Sequence, residues 1–126
     1  MDGARGAAAQ EDSTSVRQYE IWWAELPEPV GRRPVLLLSR TPAYQYLSRV
    51  IVAEVTSSVR GIPQELQLGR REGLRRSVVN LDNVHVVPKA ALKARAGSVS
   101  RHREREVKRA LGFALAWPEL QALADK

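Results

Sequence analysis

The chain has 126 residues, a formal net charge of +6 and no cysteine. A chain of this length is typical of one domain with its own core. Without cysteine it can hold neither a disulfide framework nor a thiolate metal site. The two histidines, His85 and His102, are far apart in the sequence and have no second ligand at helical spacing, so a zinc site is not expected.

The amino-terminal segment, residues 1–16, is rich in small and polar residues and has almost nothing that could pack in a core. We interpret it as a disordered leader before a single domain, residues 17–126. It lacks the apolar block of a secretory signal. No apolar run approaches the ~18 residues of a transmembrane helix. A cytoplasmic protein without a membrane partner is therefore expected.

Charge is distributed unevenly along the chain. Residues 1–28 carry two basic and six acidic side chains, a net of −4, whereas residues 29–126 carry eighteen basic and eight acidic ones, a net of +10. Sixteen of the twenty basic residues are arginine, which binds phosphate in a planar, bidentate way. This pattern favours a polyanionic partner but leaves RNA, DNA and an acidic protein open.

The first predicted strand is Tyr19–Leu26, and its alternation places the adjacent Trp22 and Trp23 on opposite faces. One interpretation is that one tryptophan lies in the core and the other near the sheet edge. The other is that they form a stacking platform for the bases of a single-stranded nucleic acid.

Two short apolar runs, Pro34–Leu38 and Val50–Val55, indicate buried strands. Antiparallel pairing would set the start of one strand beside the end of the other. Arg33 would then meet the hydroxyl groups that follow the second run, beginning with Thr56. Arginine beside hydroxyl groups at a sheet edge is suited to binding an oxyanion or a phosphate.

The rest of the chain predicts many short elements and one closing helix. We expect a loop or helical turn at Thr41–Leu47, strands at Arg49–Ser57, Gln64–Leu68, Ser77–Val87 (or a strand pair) and Arg95–Val99, a helical turn at Pro88–Leu92, and a helix from the cap Ser100 to a break at Pro118. In the third strand Glu54 and Thr56 share a face. Polar residues inside Ser77–Val87 indicate a bulge or a tight bend, and His85 within this segment is interpreted as structural. The four arginines of residues 69–76 form a loop that is either solvated or in contact with phosphate.

Three separated blocks of the sequence resemble the MazF/PemK family of bacterial toxins: EIWWAELPEPVGRRPVLLLSR, AEVTSSVRGIP and VVNLDNVHVVPKAAL. The resemblance covers residues 17–115. It implies a mainly β (α+β) fold, a small SH3-like β-barrel of the CcdB/PemK type with a carboxy-terminal helix, in a homodimer. The sequence departs from the family at Tyr19, where the family usually has glycine.

The resemblance also implies an activity: ribosome-independent, sequence-selective cleavage of single-stranded RNA (mRNA, tRNA or rRNA), inhibition of translation and growth, and control by a cognate antitoxin with an acidic, flexible segment. The family's catalytic arginine and threonine match Arg33 and Thr56. We further expect RNA contacts from Arg32, Ser39, Ser57, Arg60 and Asn83, and neither a cofactor nor a metal.

The chemistry of these residues is consistent with attack by the ribose 2′-OH. Arginine cannot act as a base at neutral pH, so Arg33 would stabilise the charge of the phosphorane. Thr56 would donate a hydrogen bond to a non-bridging oxygen, and one such donor contributes about 3–4 kcal/mol. The general base stays open, with Glu20, Glu28 and Glu54 as candidates.

Two other functions are compatible with such a barrel. One is gyrase poisoning of the CcdB type, which resembles an activity that depends on a tryptophan near the extreme carboxy terminus. Here Trp117 lies nine residues inside the chain. The other is a catalytically inactive nucleic-acid-binding barrel, although the presence of both Arg33 and Thr56 argues against it.

Overall fold

Six antiparallel strands form one sheet in the computed structural model of the protein, which describes residues 16–123. They are β1 (Glu20–Glu25), β2 (Arg32–Leu37), β3 (Arg49–Thr56), β4 (Glu65–Leu68), β5 (Ser77–Pro88) and β6 (Leu92–Ser98). Their order across the sheet is β4-β5-β3-β2-β1-β6. Thus Ser77–Pro88 is one long strand rather than a pair, and the last strand begins earlier than predicted.

The sheet is strongly curled but, within residues 16–123, its edge strands β4 and β6 do not pair with each other. Register shifts between β1 and β6 accompany the curl. The curl presses Gly97 of β6 against the turn that follows β4, where a Cβ on Gly97 would lie 1.8 Å from the backbone oxygen of Glu72. The predicted fold class is confirmed as a barrel-like sheet that stays open along one seam.

Within residues 16–123, three helices lie outside the sheet: α1 (Ala43–Tyr46), α2 (Glu104–Leu115) and α3 (Pro118–Gln121). Short 3-10 turns occupy Arg70–Glu72, Lys89–Ala91 and Arg101–Arg103. The hydroxyl of Ser100 accepts a hydrogen bond from the His102 N–H at 3.1 Å, so the predicted cap starts the last 3-10 turn rather than α2. Helix α2 ends at Ala116, which has φ +53°, just before the predicted break.

Apolar side chains cover both faces of the sheet, which explains why β1, β2 and β3 are apolar at most of their positions. On one face, Ile21, Leu36, Ala53, Val55 and Val79 pack beneath α2. On the other, Ala24, Val35, Leu37, Val50 and Val52 pack around Tyr44 of α1. Val16 belongs to this second cluster, and residues 1–15 of the predicted leader lie outside the described part of the chain.

Arg103 fixes the start of α2 to the turn after β4. Its guanidinium donates to the buried carboxylate of Glu72 at 3.1 Å and to Glu106 at 2.8 Å. The hydrogen bond with Glu106 is the main cause that raises the pKa of Arg103 above its usual value. The arginine-rich loop that follows Glu72 is thereby attached to the start of α2.

Tyr19 has φ +73°, a conformation that a tyrosine adopts only under constraint. Its ring is buried, its hydroxyl donates to Glu104 at 3.0 Å, and the Arg101 guanidinium lies 5.0 Å from the ring centroid. Burial, together with the hydrogen bond to Glu104, raises the pKa of Tyr19 to about 12. The side chain therefore anchors a left-handed backbone conformation that glycine adopts more readily.

A bulge divides β5 into two halves. Glu54 of β3 pairs with Asn80, but the preceding residue Ala53 pairs with Val84, so three residues of β5 have no partner on β3. The predicted bulge is confirmed. It decides on which face of the sheet the following side chains of β5 lie. Asn80 and His85 pair with Glu54 and Val52, which share a face of β3, so they lie on the same face of the sheet. Five positions apart in an unbroken strand, they would lie on opposite faces.

Candidate active site

The pairing of β2 with β3 brings Arg33 and Thr56 together. The observed partners are Val35 with Glu54 and Leu36 with Ala53, in antiparallel register. Continued by two residues, this register sets Arg33 across from Thr56. Both residues line the same cavity, as the antiparallel arrangement of the two apolar runs predicts.

This cavity, of about 490 Å³, combines an apolar wall with a basic, hydroxyl-rich rim. Trp23, Pro34, Val55 and Leu74 supply the wall. The polar lining consists of Arg33, Thr56, Ser57, Arg75, Arg76 and Ser77. Arg75 and Arg76 are exposed and form no ion pair within residues 16–123. Part of the basic loop thus faces the cavity, and its uncompensated positive charge suits a phosphate chain.

The hydroxyl of Thr56 is oriented by the turn that follows β3. Its oxygen accepts a hydrogen bond from the Ser58 N–H at 3.1 Å. This contact uses the oxygen as an acceptor and leaves the hydroxyl proton available for donation. Thr56 can therefore donate a hydrogen bond to an oxygen placed in the cavity while it still accepts the hydrogen bond from Ser58.

The Arg33 guanidinium is held by a buried carboxylate. Its Nη1 donates to Glu54 Oε1 at 3.0 Å, and Glu54 is nearly inaccessible to solvent while Arg33 is one-third exposed. The second Glu54 oxygen contacts His85 Nε2. Glu54 thus links the arginine of β2 to the histidine of β5, and His85 has a polar partner in addition to its place in the sheet.

Of the predicted RNA contacts, Ser57 lines the cavity and Arg32 lies beside it, with its guanidinium 5.3 Å from the Trp23 ring centroid. Arg60 and Asn83 are exposed but do not line the cavity. Ser39 is buried and its hydroxyl accepts from the Ile51 N–H at 2.9 Å. The structure therefore gives Ser39 a structural contact at the opposite end of β3 and does not bring it to the site.

The three glutamates considered as general bases have different surroundings. Glu20 is buried and accepts from the Trp22 indole N–H at 2.9 Å. Glu28 is exposed on the β1–β2 turn. Glu54 has both oxygens engaged. None of the three lines the cavity of Arg33 and Thr56.

Two further observations concern the described part of the chain. Residues 16–123 contain no group of three His, Asp or Glu side chains placed to hold a metal ion. None of the helices in this part is both long enough and apolar enough to cross a membrane.

A curled six-stranded sheet brings Arg33, Thr56 and the exposed Arg75 and Arg76 to one cavity, an arrangement suited to phosphate-containing ligands. The family of PemK-like, MazF-like toxins of type II toxin–antitoxin systems matches residues 17–115. Because this match spans most of the chain, the protein belongs to that family.

Individual relatives support the same assignment. The chain is 43% identical over 98 residues to a probable endoribonuclease, MazF5, of Mycobacterium tuberculosis, covering 76% of this chain and 89% of that protein. It is 33% identical to the solved Mycobacterium tuberculosis toxin MazF-mt6, with a TM-score of 0.72 over 77% of this chain and 96% of that one. A MazE–MazF crystal structure from Deinococcus radiodurans is 25% identical, with a TM-score of 0.66 over 79% and 94% of the two chains.

Proposed function

We propose that this endoribonuclease toxin cleaves single-stranded RNA at the cavity shared by Arg33 and Thr56, through attack of a ribose 2′-OH on the adjacent phosphate. The observation that carries the proposal is the convergence of these two side chains from β2 and β3. Family membership favours this activity over the gyrase poison and over the inactive barrel.

The reaction requires stabilisation of negative charge more than covalent chemistry from the protein. The 2′-oxygen forms a bond to phosphorus, the bond from phosphorus to the 5′-oxygen breaks, and the leaving oxygen takes up a proton. Arg33 stabilises the charge on the phosphorane, and Thr56 donates to a non-bridging oxygen. Arg75 and Arg76 bind the neighbouring phosphates. These roles need no metal ion.

The decisive experiment maps the ends of a long RNA after incubation with the purified protein in EDTA. We expect cleavage at a restricted set of sequences, with a 2′,3′-cyclic phosphate on one product and a 5′-hydroxyl on the other. A substrate with a 2′-deoxy sugar at the scissile position should resist cleavage. Cutting that requires Mg²⁺, or that proceeds on the 2′-deoxy substrate, would contradict the mechanism.

The same surface supports a proposal about partners. The structure of a relative contains MazE with MazF, and an acidic, flexible antitoxin segment would complement the arginines of the cavity. We also propose a homodimer acting in the cytoplasm, where two copies of the basic surface would bind one RNA strand. The RNA would be mRNA, tRNA or rRNA.

A further inference from the structure

The buried carboxylate of Glu54 joins two groups that RNA cleavage could use. Its Oε1 accepts from Arg33 at 3.0 Å and its Oε2 contacts His85 Nε2. The Glu54 side chain is 8% exposed, whereas that of His85 is 43% exposed. The carboxylate is therefore fixed inside the protein while the imidazole stays accessible from solvent.

We propose that His85 is the general base that removes the 2′-OH proton, and that Glu54 is the positioning residue that holds His85 beside Arg33. This inference rests on the proposed function. When Nε2–H donates to the carboxylate, the neutral imidazole keeps its lone pair on Nδ1. A carboxylate that selects the tautomer and orients the ring in this way makes the opposite nitrogen an effective base.

The placement of His85 relative to Arg33 fits the geometry of the substrate. In RNA the attacking 2′-oxygen and the phosphate belong to the same nucleotide, so the base and the phosphate-binding cation must be close neighbours. The two oxygens of one carboxylate enforce this closeness. Val52 and Glu54 share a face of β3, and His85 lies opposite Val52, so His85, Glu54 and Arg33 extend across one face of the sheet.

A second cavity, of about 290 Å³, provides space for the ribose and base. It is lined by Glu54 and His85, by Val86 and by Pro27, Glu28 and Val30 of the β1–β2 turn. Arg33 lines the first cavity and its partner Glu54 lines the second, so the Arg33–Glu54 ion pair lies between the two cavities. The phosphate would lie beside Arg33, with the ribose that carries the attacking 2′-OH on the side of His85.

The same observations argue against Glu54 as the base and leave Glu28 as a competitor. Glu54 is buried and both of its oxygens are occupied. Glu28 is exposed and lines the second cavity, so it is the competing candidate that the experiment must separate from His85.

The proposed step is balanced without any redox partner or co-reactant. The proton of the 2′-OH moves to His85 Nδ1 as the bond from the 2′-oxygen to phosphorus forms. The bond from phosphorus to the 5′-oxygen breaks, and the 5′-oxygen takes a proton from water. His85 then returns its proton to solvent, and the product is a 2′,3′-cyclic phosphate.

The test is steady-state cleavage of a defined RNA oligonucleotide by His85→Ala, with and without added imidazole. We expect kcat to fall by about 10²–10⁴-fold with KM almost unchanged, and imidazole to restore cleavage in proportion to its concentration. His102→Ala, which changes an exposed histidine outside both cavities, is the matched control and should cleave normally. Glu54→Gln should lower kcat without a response to imidazole, because in this variant the ring of His85 is present but misoriented.

Several results would overturn the proposal. His85→Ala with normal kcat, or a folded His85→Ala whose loss imidazole does not repair, would remove His85 as the base. Loss of kcat in Glu28→Gln that equals the loss in His85→Ala would transfer the role to Glu28. If Arg33→Ala also cleaves normally, the proposed function itself fails, whereas inactive Arg33→Ala beside active His85→Ala refutes only the present inference.

Discussion

Arg33 is the residue whose removal should affect activity most. It enters β2 from the turn and is one-third exposed, and Glu54 keeps its contact with His85 when the arginine is removed, so the fold should survive with reduced stability. We expect Arg33→Ala to lower kcat by at least about 10²–10³-fold, since one preorganised donor to a developing charge contributes that much. Arg33→Lys should recover little, because an ammonium group cannot replace the planar fork.

Cleavage kinetics and thermal unfolding of the same preparations check this expectation. Arg49→Ala is a suitable control, because Arg49 is an exposed arginine at the far end of β3 that donates to the Val86 carbonyl. A folded Arg33→Ala protein that cleaves like the wild type would remove Arg33 from the site.

Tyr19 makes stability depend on pH in the alkaline range. Its pKa is raised from about 10 to about 12 by burial and by the hydrogen bond to Glu104. The unfolded chain therefore loses this proton before the folded one. The contribution to stability is complete below about pH 10 and is lost as the pH rises to about 12.

Denaturant unfolding at a series of pH values tests this for wild type and Tyr19→Phe. The variant should lack this part of the alkaline decline and should be less stable at pH 7 by about 1.5 kcal/mol, the contribution of a hydrogen bond to a charged group. Burial also raises the pKa of Tyr44, so a residual decline is expected in both proteins. Equal slopes in the two proteins would show that Tyr19 does not cause the decline.

Among the elements, the contact between β6 and the turn after β4 tolerates no side chain. A Cβ on Gly97 would lie 1.8 Å from the Glu72 backbone oxygen, so the backbone itself must move. We expect Gly97→Ala to lower the free energy of unfolding by about 2 kcal/mol or more. Gly69→Ala is the control, since a Cβ there meets no atom within 4 Å. Equal free energies of unfolding for the two variants, measured in urea, would contradict the close contact between β6 and the turn after β4.

Elements that short stretches of the sequence encode could be predicted. Contacts that depend on the register between strands distant in the sequence could not. The antiparallel neighbours β2 and β3 follow from two apolar runs with a short connection, which is why Arg33 and Thr56 could be brought together from the sequence. The polar residues of β5 indicated a bulge, but nothing in the sequence gives its length. His85 was therefore interpreted as structural, and its contact with Glu54 became visible only when the faces were known. Ser39 is the opposite case: it was predicted to contact RNA, but its hydroxyl accepts a hydrogen bond from the Ile51 N–H. That contact depends on how the chain turns into β3.

For the whole molecule, the distribution of charge predicts how inhibition should behave. Residues 29–126 have a net charge of +10, and three arginines converge at the first cavity. An acidic antitoxin segment would occupy the same phosphate path as RNA, so inhibition should be competitive with RNA. Both associations should weaken as salt rises, because exposed charges are screened and counterions are released.

Competition binding with fluorescent RNA, repeated at several salt concentrations, measures both effects. The same segment should protect Trp23 from a soluble quencher, because Trp23 forms part of the cavity wall. A ternary complex that holds RNA and antitoxin at full affinity would show that the two do not share this surface.

The bulge in β5 decides whether His85 can reach Glu54 at all. Three unpaired residues, 81–83, separate the half of β5 that follows β4 from the half that carries His85. Regular alternation across this segment would place Asn80 and His85 on opposite faces, so the irregular backbone of residues 81–83 is what turns His85 towards Glu54. Working descendants of this sequence should therefore change the length of this segment less often than the length of the turns between strands.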